Sequence, residues 1–198
     1  MKAHAVVFEA VRKVVFREID VPDPGPDEVV VRTRYSLISN GTEGSFLRGE
    51  RVEGDVPARP GDPLPFPQVT GYQKVGIVER APAGSRLSQG QWVHCTVSKV
   101  GFPRRPFGGH VGVAVCEAAQ VYPLPEGFDP VEASGLVLTQ VGYNCGTRPP
   151  IEPGDPAVVL GDGLVGLWAA ATLQHRGART ILVGKHADRY RHFRAGEG

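Results

Sequence analysis

The residues whose spacing points most directly to chemistry are Gly161, Gly163 and Gly166, a Gly-x-Gly-x-x-Gly run inside Pro156-Ala-Val-Val-Leu-Gly-Asp-Gly-Leu-Val-Gly166. An apolar stretch runs straight into the triplet, and an alanine-rich apolar segment follows it. That order predicts a strand, a tight turn and a helix whose N-terminus receives a dinucleotide pyrophosphate. Gly161 permits the turn, Gly163 lets the backbone approach the phosphates, and Gly166 lets the helix lie close on the strand. The first amides of the helix, at Leu164 and Val165, belong to the same anion-binding end. A glycine-rich structural turn would carry the same triplet. The strand before it and the helix after it favour the nucleotide reading.

Composition narrows the alternatives. The chain has 198 residues and a formal net charge of +1, with both signs of charge spread along it. A nucleic-acid footprint needs a basic stripe, and none is visible. No apolar run approaches a membrane span of about 20 residues, and the N-terminus has no apolar signal core. A cytoplasmic protein with no nucleic-acid or membrane partner is expected. The three cysteines, Cys95, Cys116 and Cys145, lack CxxC spacing and are read as small buried hydrophobes.

The glycine turn must be held by a larger frame. Strands are predicted at 3–8, 13–19, 28–35, 73–81, from Trp92, at 110–115 and at 120–122, with turn residues between them. Residues 36–49 read as a polar loop with a short helix at 45–48. Residues 51–67 carry five prolines and read as an exposed loop. Residues 101–109 read as another loop. Asp129-Pro130 is an N-cap followed by proline at the first helical position, and apolar spacing extends that helix to about Cys145. Strand 157–160, helix 164–175 with Gly177 as its stop, strand 180–183 and a weak basic helix 187–194 complete the chain. The fold class is mixed α/β: a closed or partly closed barrel, then strand–helix–strand.

This order of elements resembles the medium-chain dehydrogenase/reductase superfamily, the alcohol dehydrogenase and quinone oxidoreductase group. The resemblance is carried by Gly71-Tyr-Gln-Lys-Val-Gly-Ile-Val-Glu79, Gly108-Gly109, Val121-Tyr-Pro-Leu-Pro125 and the glycine fingerprint. The segment Tyr35-Ser-Leu-Ile-Ser-Asn-Gly-Thr-Glu43 is most similar to a subgroup that includes bacteriochlorophyllide dehydrogenases. The resemblance implies a GroES-like catalytic domain over residues 1–128, a linking helix over 129–150 and a partial Rossmann domain over 151–198. It implies an oxidoreductase acting on a small-molecule substrate.

The departures matter as much. Zinc-dependent members place a cysteine where Ser39 stands, a Gly-His-Glu where Gly71-Tyr72-Gln73 stands, and a third ligand near Val137. A hydroxyl, a phenol, an amide and an alkyl group make no tetrahedral zinc set. No metal is expected, and hydride transfer would rely on hydrogen bonding to polarise its carbonyl or enone. By alignment Thr42 takes the proton-relay position. Tyr72 could donate to a developing oxyanion, and Ser39, with Asn40 and Gln73, could line the same pocket. For Tyr72 the alternative is a buried ring whose hydroxyl meets a backbone carbonyl. Glu43 is expected to form a structural pair or cap the short helix.

The second strand ends at Gly184, where NAD-preferring folds place an acid about 20 residues beyond the glycines. Lys185 and His186 follow, with Arg189 a turn later. With no carboxylate to repel a 2′-phosphate and cations to pair with it, NADP is expected, with NAD possible. Only two of the six strands of a full dinucleotide fold are present. The first of them would have an unpaired apolar edge. The chain is therefore expected to be a truncated or split member, completed by a homo-oligomer or a partner chain, or else a non-catalytic remnant or interaction module that binds nucleotide weakly or scaffolds a partner.

Overall fold

The computed structural model describes residues 1–100 and 108–193. Most of the loop expected at 101–109 and the end of the basic helix expected at 187–194 lie outside them. The chain divides into two compact units, Met1–Gly135 and Leu136–Gly198.

The first unit is built on strands. β1 (Lys2–Ala10) and β2 (Lys13–Asp20) form an antiparallel hairpin. Its tight turn holds Arg12 at φ 57°. A five-stranded antiparallel sheet runs in the order β8–β3–β6–β7–β9, from β3 (Glu28–Ser36), β6 (Lys74–Arg80), β7 (Trp92–Cys95), β8 (Val113–Glu117) and β9 (Val121–Pro123). Single bridges at Ala5–Val111 and Phe8–Gln68 tie the hairpin to other segments of this unit. The core gathers Val7, Ile19, Val29, Val31, Val69, Val78, Val93 and Val115, small β-branched residues suited to a curved, doubly covered sheet. Val30, which alternation places on the opposite face of β3 from Val29 and Val31, is also buried.

Several expectations change. Residues 36–49 hold a full helix, α1 (Asn40–Leu47), rather than one turn at 45–48. The polar and glycine composition hid it, because its stability comes from bonds to distant residues. The stretch 51–67 contains a small hairpin, β4 (Arg51–Glu53) with β5 (Val56–Pro57). The strand expected at 110–115 begins only at Val113, since the His110 and Gly112 backbones bond to the β1–β2 hairpin and to β3 instead. The single helix expected from Asp129 to Cys145 is two. In α2 (Pro130–Ala133), Asp129 caps Val131 N–H at 2.8 Å. Ser134 turns its hydroxyl back onto the Val131 carbonyl, and α3 (Leu136–Thr147) starts afresh. Cys95 and Cys116 are buried, whereas Cys145 is exposed on α3.

Two polar groups lie deep in the sheet. Lys74 is fully buried, and its ammonium donates to the Thr96 carbonyl at 2.7 Å. Burial pushes its pKa down. His94 and Cys95 are neighbours on β7, so they point to opposite faces, and both faces are covered. Cys95 hydrogen-bonds to Cys116, which raises the Cys95 thiol and lowers that of Cys116.

The second unit is a strand–helix–strand with a helix before it. β10 (Pro156–Leu160) pairs in parallel with β11 (Arg179–Val183), joined by α4 (Leu164–His175). Gly177, at φ 87°, ends α4 as expected. Residues 187–192 form a 3₁₀ turn rather than an α-helix. α3 lies on α4 through glycines. A Cβ at Gly142 would come within 2.7 Å of the Val165 carbonyl, and one at Gly146 within 2.7 Å of the Ala169 carbonyl.

Two outcomes follow from this frame. Gly142→Ala forces α3 off α4 and is expected to lower stability by about 1–3 kcal/mol in urea unfolding. An unchanged midpoint would refute the close crossing. Burial, with Lys74 nearby, lowers the pKa of His94 from 6.5 to about 4. Between those values the unfolded chain binds a proton that the folded chain refuses. The stability is full above pH 6.5 and falls as pH drops to about 4. The loss is about 3 kcal/mol. Urea midpoints near pH 7 and pH 4.5 should therefore converge in His94→Leu relative to the parent.

Candidate functional site

In the first unit, one carboxylate collects polar groups from several segments. Glu43 lies one turn inside α1 and is 3% exposed. Its Oε1 accepts the Ser39 N–H at 2.7 Å, which satisfies an orphan amide at the helix start. Its Oε2 accepts the Thr70 hydroxyl at 3.1 Å and lies 2.6 Å from His110 Nε2. The other ring nitrogen of His110, Nδ1, lies 2.9 Å from Ser36 Oγ. An ionised carboxylate only accepts. The proton on the His110–Glu43 bond therefore belongs to Nε2, and in the neutral ring Nδ1 accepts from the Ser36 hydroxyl. Glu43 thus both caps the helix and forms the expected pair.

Backbone conformation makes room for this cluster. Gly71 has φ 85°, and a Cβ there would sit 2.7 Å from His110 Nε2. Any side chain at 71 would push the imidazole off Glu43 and strain the turn.

The residues nominated for chemistry group at one end of the sheet. Ser36 pairs with Lys74 across β3 and β6, so the segments holding Ser39 and Tyr72 leave the sheet together. Ser39 is buried as the α1 N-cap, but its side chain makes no capping bond. Thr42 is half-buried in the first turn of α1, and its carbonyl accepts the Ser45 hydroxyl at 2.7 Å. Tyr72 is half-buried, and Gln73 is fully buried with its amide 3.5 Å from the Leu37 carbonyl. Beside this end, a cavity of about 580 Å³ opens between the β1–β2 hairpin and α1. Its lining includes Ser36, Asn40, Glu43 and His110, but not Ser39, Thr42 or Tyr72.

The family positions for zinc do not fit the ion. Ser39 offers a neutral hydroxyl, Gln73 an amide turned toward the Leu37 carbonyl, Tyr72 a phenol, and Val137 an alkyl group on α3. Among the described residues no group of three or more His, Cys, Asp or Glu side chains could hold a metal.

In the second unit, Gly161 takes φ 116° and its N–H bonds to the Val183 carbonyl at 2.7 Å. Gly163 is the N-cap of α4, and a Cβ there would meet nothing within 4 Å, so its backbone stands open. A Cβ at Gly166 would collide with the Gly161 carbonyl. Leu164 and Val165 form the first turn of α4. This cradle fits a pyrophosphate at a helix N-terminus.

Asp162, a mere spacer in the motif, organises the turn opposite. It is 4% exposed and accepts the Lys185 N–H at 3.0 Å and the His186 N–H at 2.7 Å. The His186 ring lies 2.9 Å away and Arg189 3.5 Å away. The His186 hydrogen bond holds its pKa at about 2. A Cβ at Gly184 would strike the Asp162 side chain, while the Lys185 side chain is exposed.

No protein-family model matches the chain. It is 27% identical over 196 residues to 2-desacetyl-2-hydroxyethyl bacteriochlorophyllide A dehydrogenase of Cereibacter sphaeroides, covering 97% of this chain and 59% of that protein. A dehydrogenase of the zinc-binding class from Sinorhizobium meliloti 1021, solved bound to NADP, superposes with a TM-score of 0.75 at 22% identity. That match covers 96% of this chain and 58% of that one. The chain is thus similar in sequence to dehydrogenases of the medium-chain dehydrogenase/reductase type and shares their fold. An Escherichia coli oxidoreductase/dehydrogenase of unknown specificity, involved in membrane biogenesis, shares the fold at a TM-score of 0.80 and 19% identity, covering 96% of this chain and 60% of that one. The architecture is a GroES-like β-barrel followed by the first β-α-β portion of a Rossmann domain. The chain spans about three fifths of the length of these relatives.

Sequence reasoning missed Ser36, Thr70 and His110. His110 lies 67 residues from Glu43, and no local spacing links them. Glu43→Ala would strand the Ser39 amide, the Thr70 hydroxyl and the His110 ring, and should cost about 2–4 kcal/mol. Glu43→Gln keeps one acceptor oxygen and should cost less, and thermal melts of the two variants check the order.

Proposed function

We propose that this chain is part of a zinc-independent, NADP-dependent oxidoreductase that moves hydride to or from a carbonyl/alcohol or an enone/quinone. The observation that carries this reading is the glycine turn, where Gly166 lies against the Gly161 carbonyl and the open backbone of Gly163 heads α4. The NADP-bound relative supports the same cofactor class. When bound, the nicotinamide supplies or accepts the hydride. Backbone groups of Gly161, Gly163, Leu164, Val165 and Gly166 would hold the pyrophosphate. Gly184 puts no carboxylate side chain at the end of β11, and Lys185 and Arg189 would pair with the 2′-phosphate. Asp162 holds the Lys185 backbone in place for this role.

Residues 1–128 would carry the substrate, residues 129–150 the link and residues 151–198 the nucleotide. With no zinc ligand set, Tyr72, Thr42 and Ser39 would supply the hydrogen bonds that steady a developing oxyanion. In the second unit, Val158, Leu160, Ile181 and Val183 line up on one face of β10 and β11 and are 47–80% exposed. An apolar face of this kind supports the reading that further polypeptide, from a second copy or a partner chain, completes the active assembly. Among the described residues no helix is long and apolar enough to cross a membrane.

Titration with NADPH and NADH, followed by Trp92 and Trp168 fluorescence, tests the reading. NADPH should bind more tightly. Lys185→Glu should narrow that preference about tenfold, and Gly166→Val should abolish binding of both. A folded chain that binds neither nucleotide would overturn the proposal. Assays on quinones and aldehydes then establish whether the bound state turns over.

A further inference from the structure

We propose that the cavity between the β1–β2 hairpin and α1 binds a neutral, largely apolar small molecule that presents a hydroxyl group to Ser36. The site lies wholly within the first unit and does not depend on the nucleotide reading.

The volume of about 580 Å³ falls within the roughly 300–1,000 Å³ of small-molecule sites. The walls are apolar, with Val6, Phe8, Val14, Phe16, Ile38 and Leu47 among them. Phe16 is 71% exposed and Ile38 62%, and the His4 ring stacks on Phe16 with centroids 5.2 Å apart. A bound apolar molecule would cover this surface, which water otherwise meets at a free-energy cost.

The polar floor sets what the molecule must carry. Glu43 is already satisfied by the Ser39 amide, Thr70 and His110. It therefore offers little to a cation and would repel an anion. His110 is bonded at both ring nitrogens. In the neutral ring, with the Nε2 proton committed to Glu43, Nδ1 accepts the Ser36 proton. Ser36 Oγ then faces its surroundings with lone pairs alone. It needs a donor, and a ligand hydroxyl is the neutral group that supplies one. Thr33, also on the cavity wall, has a buried Oγ1 with no protein hydrogen-bond partner. Such a group is an exception among buried polar atoms.

The test compares 2-naphthol with 2-methoxynaphthalene, which keeps the ring system but lacks the donor, by titrating each into the full chain. Both should bind saturably, with 2-naphthol tighter by about 5–10-fold, the equivalent of one net hydrogen bond. Ser36→Ala should erase that preference while leaving 2-methoxynaphthalene binding unchanged. Phe16→Ser, at an exposed rim position that does not threaten folding, should weaken both probes about equally. Equal affinity for the two probes in the parent would overturn the proposal. So would a preference that survives Ser36→Ala, or no saturable binding by a chain with native circular dichroism. None of these outcomes bears on NADPH binding, so the two proposals fail separately.

Discussion

A single buried carboxylate organises the first unit. Glu43 sits at 3% exposure and bonds to a helix-start amide, a threonine hydroxyl and an imidazole. A buried charge is tolerated only where hydrogen bonds replace its lost hydration. Here that requirement ties α1, the Thr70 segment and the His110 segment into one arrangement. α1 has a polar, glycine-containing sequence and little amphipathic character. Its start is stabilised by the side chain of Glu43 rather than by an apolar stripe. Gly71 belongs to the same constraint, because its missing Cβ gives the imidazole its place.

The second unit follows a different rule, close approach of backbones. Gly142 and Gly146 let α3 lie on α4, and Gly166 lets α4 lie on the glycine turn. Each contact would be lost to one added methyl group. The turn is then braced from β11 by Asp162, which draws the Lys185 and His186 amides toward it. The cations expected to meet a phosphate are thus held next to a carboxylate. This fixes the loop backbone while leaving the Lys185 side chain exposed.

Much of the fold was legible in the residues. The β-branched alternation marked β1, β2, β3 and β6, and the apolar run before Gly161 marked β10. Helix α4 was bounded correctly by Gly163 and Gly177 because both ends carry local backbone signals. The misreadings share a cause. α1, the start of β8 and the break between α2 and α3 depend on bonds to residues remote in sequence, or on a side chain turned back onto its own helix. Cys145 was misassigned because residue type alone carries no information about which face of α3 it occupies.

By itself the sequence determined most of the strands, helix α4 and the nucleotide-type turn, since each rests on periodicity or on short fixed spacings. The lack of zinc-type ligands at Ser39, Tyr72 and Gln73 was equally visible, because it rests on residue identity. Only the tertiary structure decided that Ser36, Glu43, Thr70 and His110 form one hydrogen-bonded cluster beside an apolar cavity. It also decided that Asp162 braces the loop facing the glycine turn. Hydrogen bonds between residues tens of positions apart follow from how strands pair and close upon one another. Spacing along the chain does not encode that closure.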